Sequence, residues 1–187
     1  MTATPVALGL RYLTIAVVLL FAVGVAGHFL SWPLLTSTLG PTVYVFAANP
    51  GTEAARFRNA TLGHAIAIVV GLVSLAGFGL WNHNPVGPSH GPTLAQAGAA
   101  ATAAGVTLLV LELVGSHHAP SAASALLVAT GLARPGMPLL GLVVGLAIVL
   151  ALGPLSGRLP LVRNPSAHDR ESSSGRPDPP SVLPVVR

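Results

Sequence analysis

The stretch Ser116-His117-His118-Ala119-Pro120-Ser121-Ala122-Ala123-Ser124 decides how this chain is read. It is a polar, helix-breaking patch set between apolar runs. Irregular backbone at membrane depth persists only where protein buries it or where it lines a cavity, so inside a membrane domain the patch is a candidate substrate site. The composition of the chain around it makes the membrane reading firm. Mean hydropathy is +0.74. Hydrophobic residues make up 52% of the chain and charged ones 7%, against about 25% charged in an ordinary soluble domain. Between Arg11 and Arg134 the ionisable residues other than His and Tyr are Glu53, Arg56, Arg58 and Glu112. So few charges cannot cover a water-exposed surface, and the long uncharged spans read as transmembrane helices.

Four segments are long enough to cross a hydrocarbon core about 30 Å thick: Tyr12 to Leu30, Leu62 to Trp81, Thr93 to Gly115 and Leu139 to Gly157. Two shorter ones, Leu34 to Ala48 and Ser121 to Ala133, are either re-entrant or short, interrupted helices that cross completely. The positive-inside rule favours crossing. With six crossings and the N-terminus inside, Arg11, Arg56, Arg58, Arg158 and Arg163 are all cytoplasmic and Arg134 lies outside; with re-entrant segments that bias disappears. The expected fold is therefore an all-α polytopic membrane protein, with four long transmembrane helices and two short ones. Residues 1–157 form the transmembrane domain, and 158–187, rich in Pro, Ser and charge, read as a disordered cytoplasmic tail.

The punctuation repeats. Trp32-Pro33-Leu34-Leu35-Thr36-Ser37-Thr38 and Ala119-Pro120-Ser121-Ala122-Ala123-Ser124 each open a short segment with proline, and those segments end in Pro50-Gly51 and Pro135-Gly136. In each half (about 11–81 and 93–157) a short segment lies between two long helices. Three crossings per half make the second half inverted relative to the first, which is the 3+3 inverted repeat on which many secondary transporters are built.

The residues also resemble a known family. Leu39-Gly40-Pro41-Thr42-Val43-Tyr44-Val45-Phe46, then Arg58-Asn59, then Gly63-His64-Ala65-Ile66, then the patch from His118 to Ser124 are similar to the HPP family of integral membrane proteins. The likeness runs from Leu39 to about Leu132. In the family's H-P-P-A-G-A-T pattern His118 and Pro120 match, whereas Ala119, Ser121 and Ala122 depart from it. Some plant and cyanobacterial members are associated with nitrite transport, so the resemblance implies a small-anion permease with nitrite as one candidate.

The chemistry suits an anion. A helix N-terminus presents unpaired N–H groups and the positive end of the dipole. Gly40-Pro41-Thr42 and Ala119-Pro120-Ser121 both carry start signals. Gly40, Thr42, His118, Ser121 and Ser124 are the expected substrate-binding residues. Proton coupling falls to His118, to Glu112, which is the acid inside a long apolar helix, and to His64. The alternative for the histidines is capping or packing; for Glu112 it is headgroup water at the helix end. His64, grouped with Ala67 and Gly71, also suits a close-packing seam, as do the pairs Ala101/Gly105 and Gly141/Gly145. Arg58 and Asn59 are candidates for the cytoplasmic mouth on the family likeness.

Other classes fare worse. Cysteine is absent, which removes disulfides, thiolate metal sites and a Cys nucleophile. No His/carboxylate ligand set is spaced for a metal, no nucleophile stands beside an activating partner and no dinucleotide or phosphate loop is present, so neither an enzyme nor a cofactor is expected. The pI near 11.2 comes from nine arginines scattered at segment ends, a topology signal rather than a nucleic-acid surface. The expected partners are the lipid bilayer and a small inorganic anion. Six crossings around a cavity make a thin wall, which leaves room for a homo-oligomer. A Lys-free, Ala-, Gly-, Pro- and Arg-rich composition fits a GC-rich bacterial genome, hence a multi-pass protein of the bacterial plasma (inner) membrane. The competing class is a non-transporting membrane scaffold or sensor.

Overall fold

A computed structural model describes residues 4–87 and 91–156. Among the described residues the elements are all helical: α1 (Pro5–Leu30), α2 (Leu39–Ala48), α3 (Phe57–Gly77), α4 (Leu94–Leu113), α5 (Ser121–Ala129) and α6 (Met137–Ser156), with a 3₁₀ turn at Glu53–Ala55 before α3. Four of these are long and apolar enough to span a membrane, namely Pro5–Leu30, Phe57–Gly77, Leu94–Leu113 and Met137–Leu155. Outward faces carry large apolar side chains such as Val17, Phe21, Val69, Val73, Leu109 and Leu140, which suits lipid as solvent. The tail at 158–187 lies outside the described residues.

Helix limits follow local chemistry. Thr4 caps α1, its Oγ1 accepting from the Ala7 N–H at 3.3 Å, with Pro5 at the first helical position. Arg11, expected just outside the first span, therefore lies inside α1 and is 6% exposed. Thr93 and Gln96 form a reciprocal capping box at the start of α4. The second span starts at Phe57 rather than Leu62.

The short helices are half-crossings completed by extended chain. At about 1.5 Å per residue α2 measures about 15 Å, half the hydrocarbon thickness. Helix α1 stops where Ser31 turns left-handed (φ 54), and α4 stops at Gly115 (φ 64). After both stops the backbone satisfies itself in the same way. Trp32 N–H donates to the Gly27 carbonyl and Leu34 N–H to that of Trp32; Ser116 N–H donates to the Leu111 carbonyl and His118 N–H to that of Ser116. Such internal pairing is what allows non-helical chain inside an apolar bundle.

Glycines set the register of the short helices. A Cβ on Gly63 would meet Ser121 Oγ at 3.1 Å, and one on Gly71 would meet Val128 Cβ at 2.7 Å, so α5 lies parallel against α3. A Cβ on Gly145 would run into the Leu34 carbonyl and approach Leu39, and one on Gly153 would run into the Phe46 ring, so α2 lies parallel against α6. These contacts match residue for residue at a constant interval in sequence: Leu39 with Ser121, Phe46 with Val128, Gly63 with Gly145, Gly71 with Gly153. The correspondence differs from the one expected from proline, since Pro120 answers to Thr38 and not to Pro33.

Helices α1, α2 and α6 pack as one group and α3, α4 and α5 as another, joined mainly along α3 and α6. The third helix of each half thus packs with the first two of the other. His64 sits beside Thr42, and Phe46, one turn further along α2, faces His118, which lies towards the start of α3 between the levels of Asn59 and Gly63. Helix α2 therefore runs antiparallel to α3, and so to α5. Each short segment passes from one end of the bundle to the other, in agreement with six crossings rather than two re-entrant loops.

Candidate functional site

The two short helices converge on one histidine. His64, on the second turn of α3 and 2% exposed, places Nε2 3.1 Å from Thr42 Oγ1 and Nδ1 2.8 Å from Ser124 Oγ. Thr42 and Ser124 are each the fourth residue of their helix. One imidazole therefore ties equivalent positions of α2 and α5 together.

Donor and acceptor roles follow from the neighbours. Thr42 O–H donates to the Thr38 carbonyl (2.9 Å), a backbone acceptor one turn earlier. The Thr42 oxygen is then left to accept from His64 Nε2–H, and a neutral imidazole protonated at Nε2 accepts at Nδ1 from the Ser124 O–H. All three hydroxyl-bearing or ring positions are buried.

His118 forms the second layer. Its ring centroid is 5.1 Å from that of His64 and 6.4 Å from that of Phe46. Nδ1 lies 2.7 Å from the Ala54 carbonyl, and since a carbonyl only accepts, Nδ1 carries the proton. Nε2 is buried with no hydrogen-bond partner among the described residues. Ser121 O–H donates to the His118 carbonyl at 2.7 Å, and Ser116 O–H to the Asn59 carbonyl at 3.0 Å. Gly63 lies directly against this layer, where any side chain would press on His118 and Ser121.

Of the expected site residues, Thr42, His64, His118, Ser121 and Ser124 come together. Gly40 does not; it is exposed and faces open space. Glu112 points away with its side chain 77% exposed, 3.7 Å from exposed His117, so it shares the helix end with His117 and not the centre with His118. Arg58 is exposed at the start of α3, and Asn59 Nδ2–H donates to the Glu53 carbonyl at 3.0 Å, bracing the turn that carries Ala54. The first N–H groups of α5 are committed: those of Ser121, Ala122 and Ala123 donate to the carbonyls of His118, Ala119 and Pro120. The resting α5 N-terminus thus lacks the free donors expected of an anion site.

Sequence reasoning named Ser116 within the patch without giving it a role of its own, and passed over Thr38 and Phe46 as site residues, together with the carbonyl of Ala54. Thr38 and Ser116 sit next to recognised breaks and share their hydroxyl chemistry, a signal that was present. Phe46 and Ala54 carried none, because long-range packing alone brings them to His118.

A groove of about 310 Å³ is lined by Phe57, Thr61, His64 and Ala65 of α3 and by Leu146 and Leu150 of α6, among others. It is apolar apart from Thr61 and His64. No group of three or more His, Cys, Asp or Glu suited to a metal occurs among the described residues.

A family model described as HPP, transmembrane region, matches residues 2–164. The chain belongs to this family. The match extends well beyond the stretch from Leu39 to Leu132 that carried the resemblance, and takes in both helix groups. No curated protein and no solved structure matches the chain. In this HPP domain the family motif at His118 and Pro120 forms the turn into α5, and the Gly63-His64 pair supplies both the seat for that turn and the histidine that links the short helices.

Proposed function

We propose that this HPP protein is a small-anion permease of a multi-pass bacterial inner membrane, with nitrite as the anion the family likeness suggests. The observation that carries the reading is the meeting of two half-length helices, one from each half of the chain, on a single buried histidine. Interrupted helices that converge inside a bundle are the usual construction of a transport site. The matching glycine contacts, the matching backbone bonds after Ser31 and Gly115, and the antiparallel run of α2 and α5 support an inverted repeat with exchanged third helices. Such an arrangement has two bodies and one seam. In this reading, rocking of α1–α2–α6 against α3–α4–α5 about α3 and α6 exposes the His64 centre alternately to either side, and the burial of Thr42, His64, His118 and Ser124 suits an occluded stage of that cycle.

A second reading has its own support. The hydroxyls of Thr42, Ser121 and Ser124 and the ring N–H groups of both histidines all have partners, which suits a polar lock that only fastens helices in a scaffold. Flux separates the two. Purified protein in proteoliposomes is expected to take up nitrite or formate faster than protein-free vesicles, and His64→Ala, which unties Thr42 from Ser124, is expected to lose at least tenfold of that rate while still reconstituting. No uptake of nitrite, nitrate or formate above protein-free vesicles under any pH gradient sinks the permease and leaves the scaffold.

A further inference from the structure

One buried lone pair at the centre is unused. His118 Nε2 has no partner among the described residues although the side chain is 0% exposed, and with Nδ1 donating to the Ala54 carbonyl at 2.7 Å the vacant function is that of an acceptor. The side-chain donors of the His64 centre are in use. Ser124 O–H serves His64 Nδ1, His64 Nε2–H serves Thr42, Thr42 O–H serves the Thr38 carbonyl and Ser121 O–H serves the His118 carbonyl. The leading N–H groups of α5 are likewise bonded to upstream carbonyls. An anion needs donors, and this centre offers an acceptor.

We infer that an anion binds at this centre only together with a proton taken up on His118 Nε2, so that the two cross the membrane as a pair without net charge. The inference rests on the permease reading and specifies its coupling. The step balances simply: a proton from water joins the Nε2 lone pair, the resulting Nε2–H donates to an anion oxygen, and on the other side proton and anion both leave, restoring the bare nitrogen. The new N–H is the missing donor, and its charge offsets that of the anion, which an apolar interior otherwise opposes. The substrate class this chemistry takes is a small monovalent anion of a weak oxyacid.

His118 fits the role better than His64. The Nδ1 lone pair of His64 already accepts from Ser124 at 2.8 Å, so a proton there displaces a bond, whereas His118 Nε2 gains one without loss. Among the described residues His64 is the titratable group in ring contact with His118. On the turn before α3, Glu53 and Arg56 neutralise each other at 3.1 Å on the surface. Arg58 on α3 is exposed, as are Glu112 and His117 on the α4 side, while α2 and α5 bring no charged group against the ring.

The test uses the full chain in proteoliposomes with nitrite and formate as probes, a trapped pH dye inside, and potassium with valinomycin to clamp the potential. Uptake is expected to quicken under an alkaline interior, to acidify the lumen by one proton per anion, and to ignore the clamped potential. His118→Asn places an amide where Nδ1–H meets Ala54 and has nothing to protonate, so it is expected to lose the acidification and at least tenfold of the uptake. Uptake that follows the potential without acidification overturns the pairing and keeps the permease, and so does a His118→Asn protein with wild-type coupling. No uptake of either probe overturns both. Should the variant fail to fold, ¹⁵N-histidine spectra of the wild type decide. They are expected to show His118 protonated at Nδ1 and bare at Nε2, with Nε2 gaining its proton when nitrite is added at constant pH. A resting Nε2–H tautomer, or no change with nitrite, overturns the inference.

Discussion

At the scale of single residues, glycine in this protein divides into seats and spectators. Gly71 is a seat: the Val128 side chain and the Ala125 carbonyl occupy the space at 2.7 and 3.0 Å where a Cβ would go. Neither neighbour is the free end of a long side chain, so α3 and α5 must part to admit a methyl group. Gly71→Ala is expected to cost about 1–3 kcal/mol, the usual cost of overpacking, read as a lower unfolding midpoint in detergent. Gly105 is a spectator, exposed with nothing within 4 Å of its Cβ position, and Gly105→Ala is expected to gain up to about 1 kcal/mol of helix propensity. The sequence marks both as small residues on helices and names Ala101 and Gly105 as a seam. Small size was legible; which small residue has a neighbour was not. In the fold Ala99 and Ala103 are buried instead, one helical face away from the expected pair.

At the scale of elements, the decisive feature is how a long helix stops and lets half-extended chain follow it into an apolar bundle. Ser31 and Gly115 occupy the same left-handed position at the ends of α1 and α4, and the same two backbone bonds follow each. Left-handed φ strains a side chain and costs glycine nothing comparable. The two stops therefore predict opposite responses. Ser31→Gly is expected to stabilise the protein by about 0.5–1 kcal/mol and Gly115→Ser to destabilise it by about 1–2 kcal/mol, measured as opposite shifts of the detergent unfolding midpoint. Proline had drawn attention to these segments correctly. It misaligned them, because Pro33 lies in the extended stretch and Pro120 at the helix cap, positions that do different work in the two halves.

At the scale of the whole molecule, the arrangement is two groups of three helices that exchange their third members, joined along α3 and α6 and at His64. A six-crossing topology puts the turn around Gly51 and the turn around Ala119 on one side of the membrane and Arg134 on the other, whereas the four spans shown with re-entrant short segments do not. The chain has no cysteine, so single cysteines report this directly. Gly51→Cys and Ala119→Cys are expected to react with a membrane-impermeant maleimide from the same side, and Arg134→Cys from the opposite side. Labelling of Gly51→Cys and Arg134→Cys from one side would contradict the crossing of the short segments. The same geometry explains why Glu112 and His117 leave the centre. They lie at the end of α4 with both side chains exposed and 3.7 Å from each other, on the surface rather than in the core.

Length and hydropathy by themselves determined that the chain is helical and suited to a membrane, with four long spans and two broken ones, because the thickness of hydrocarbon and the need to satisfy every backbone group leave few alternatives. Helix-start signals, the polar patch and the family likeness picked out Thr42, His64, His118, Ser121 and Ser124 as candidate site residues. What only the tertiary structure decided was which of them meet, and with which atoms free. Contact between Thr42, His64 and Ser124 depends on Gly63, Gly71, Gly145 and Gly153 letting the short helices lie against α3 and α6, a matter of interhelical distance that no local pattern encodes. The bare Nε2 of His118 depends in turn on the Ala54 carbonyl, a backbone atom any residue would supply, so its effect on the imidazole is invisible until the chain is folded around it.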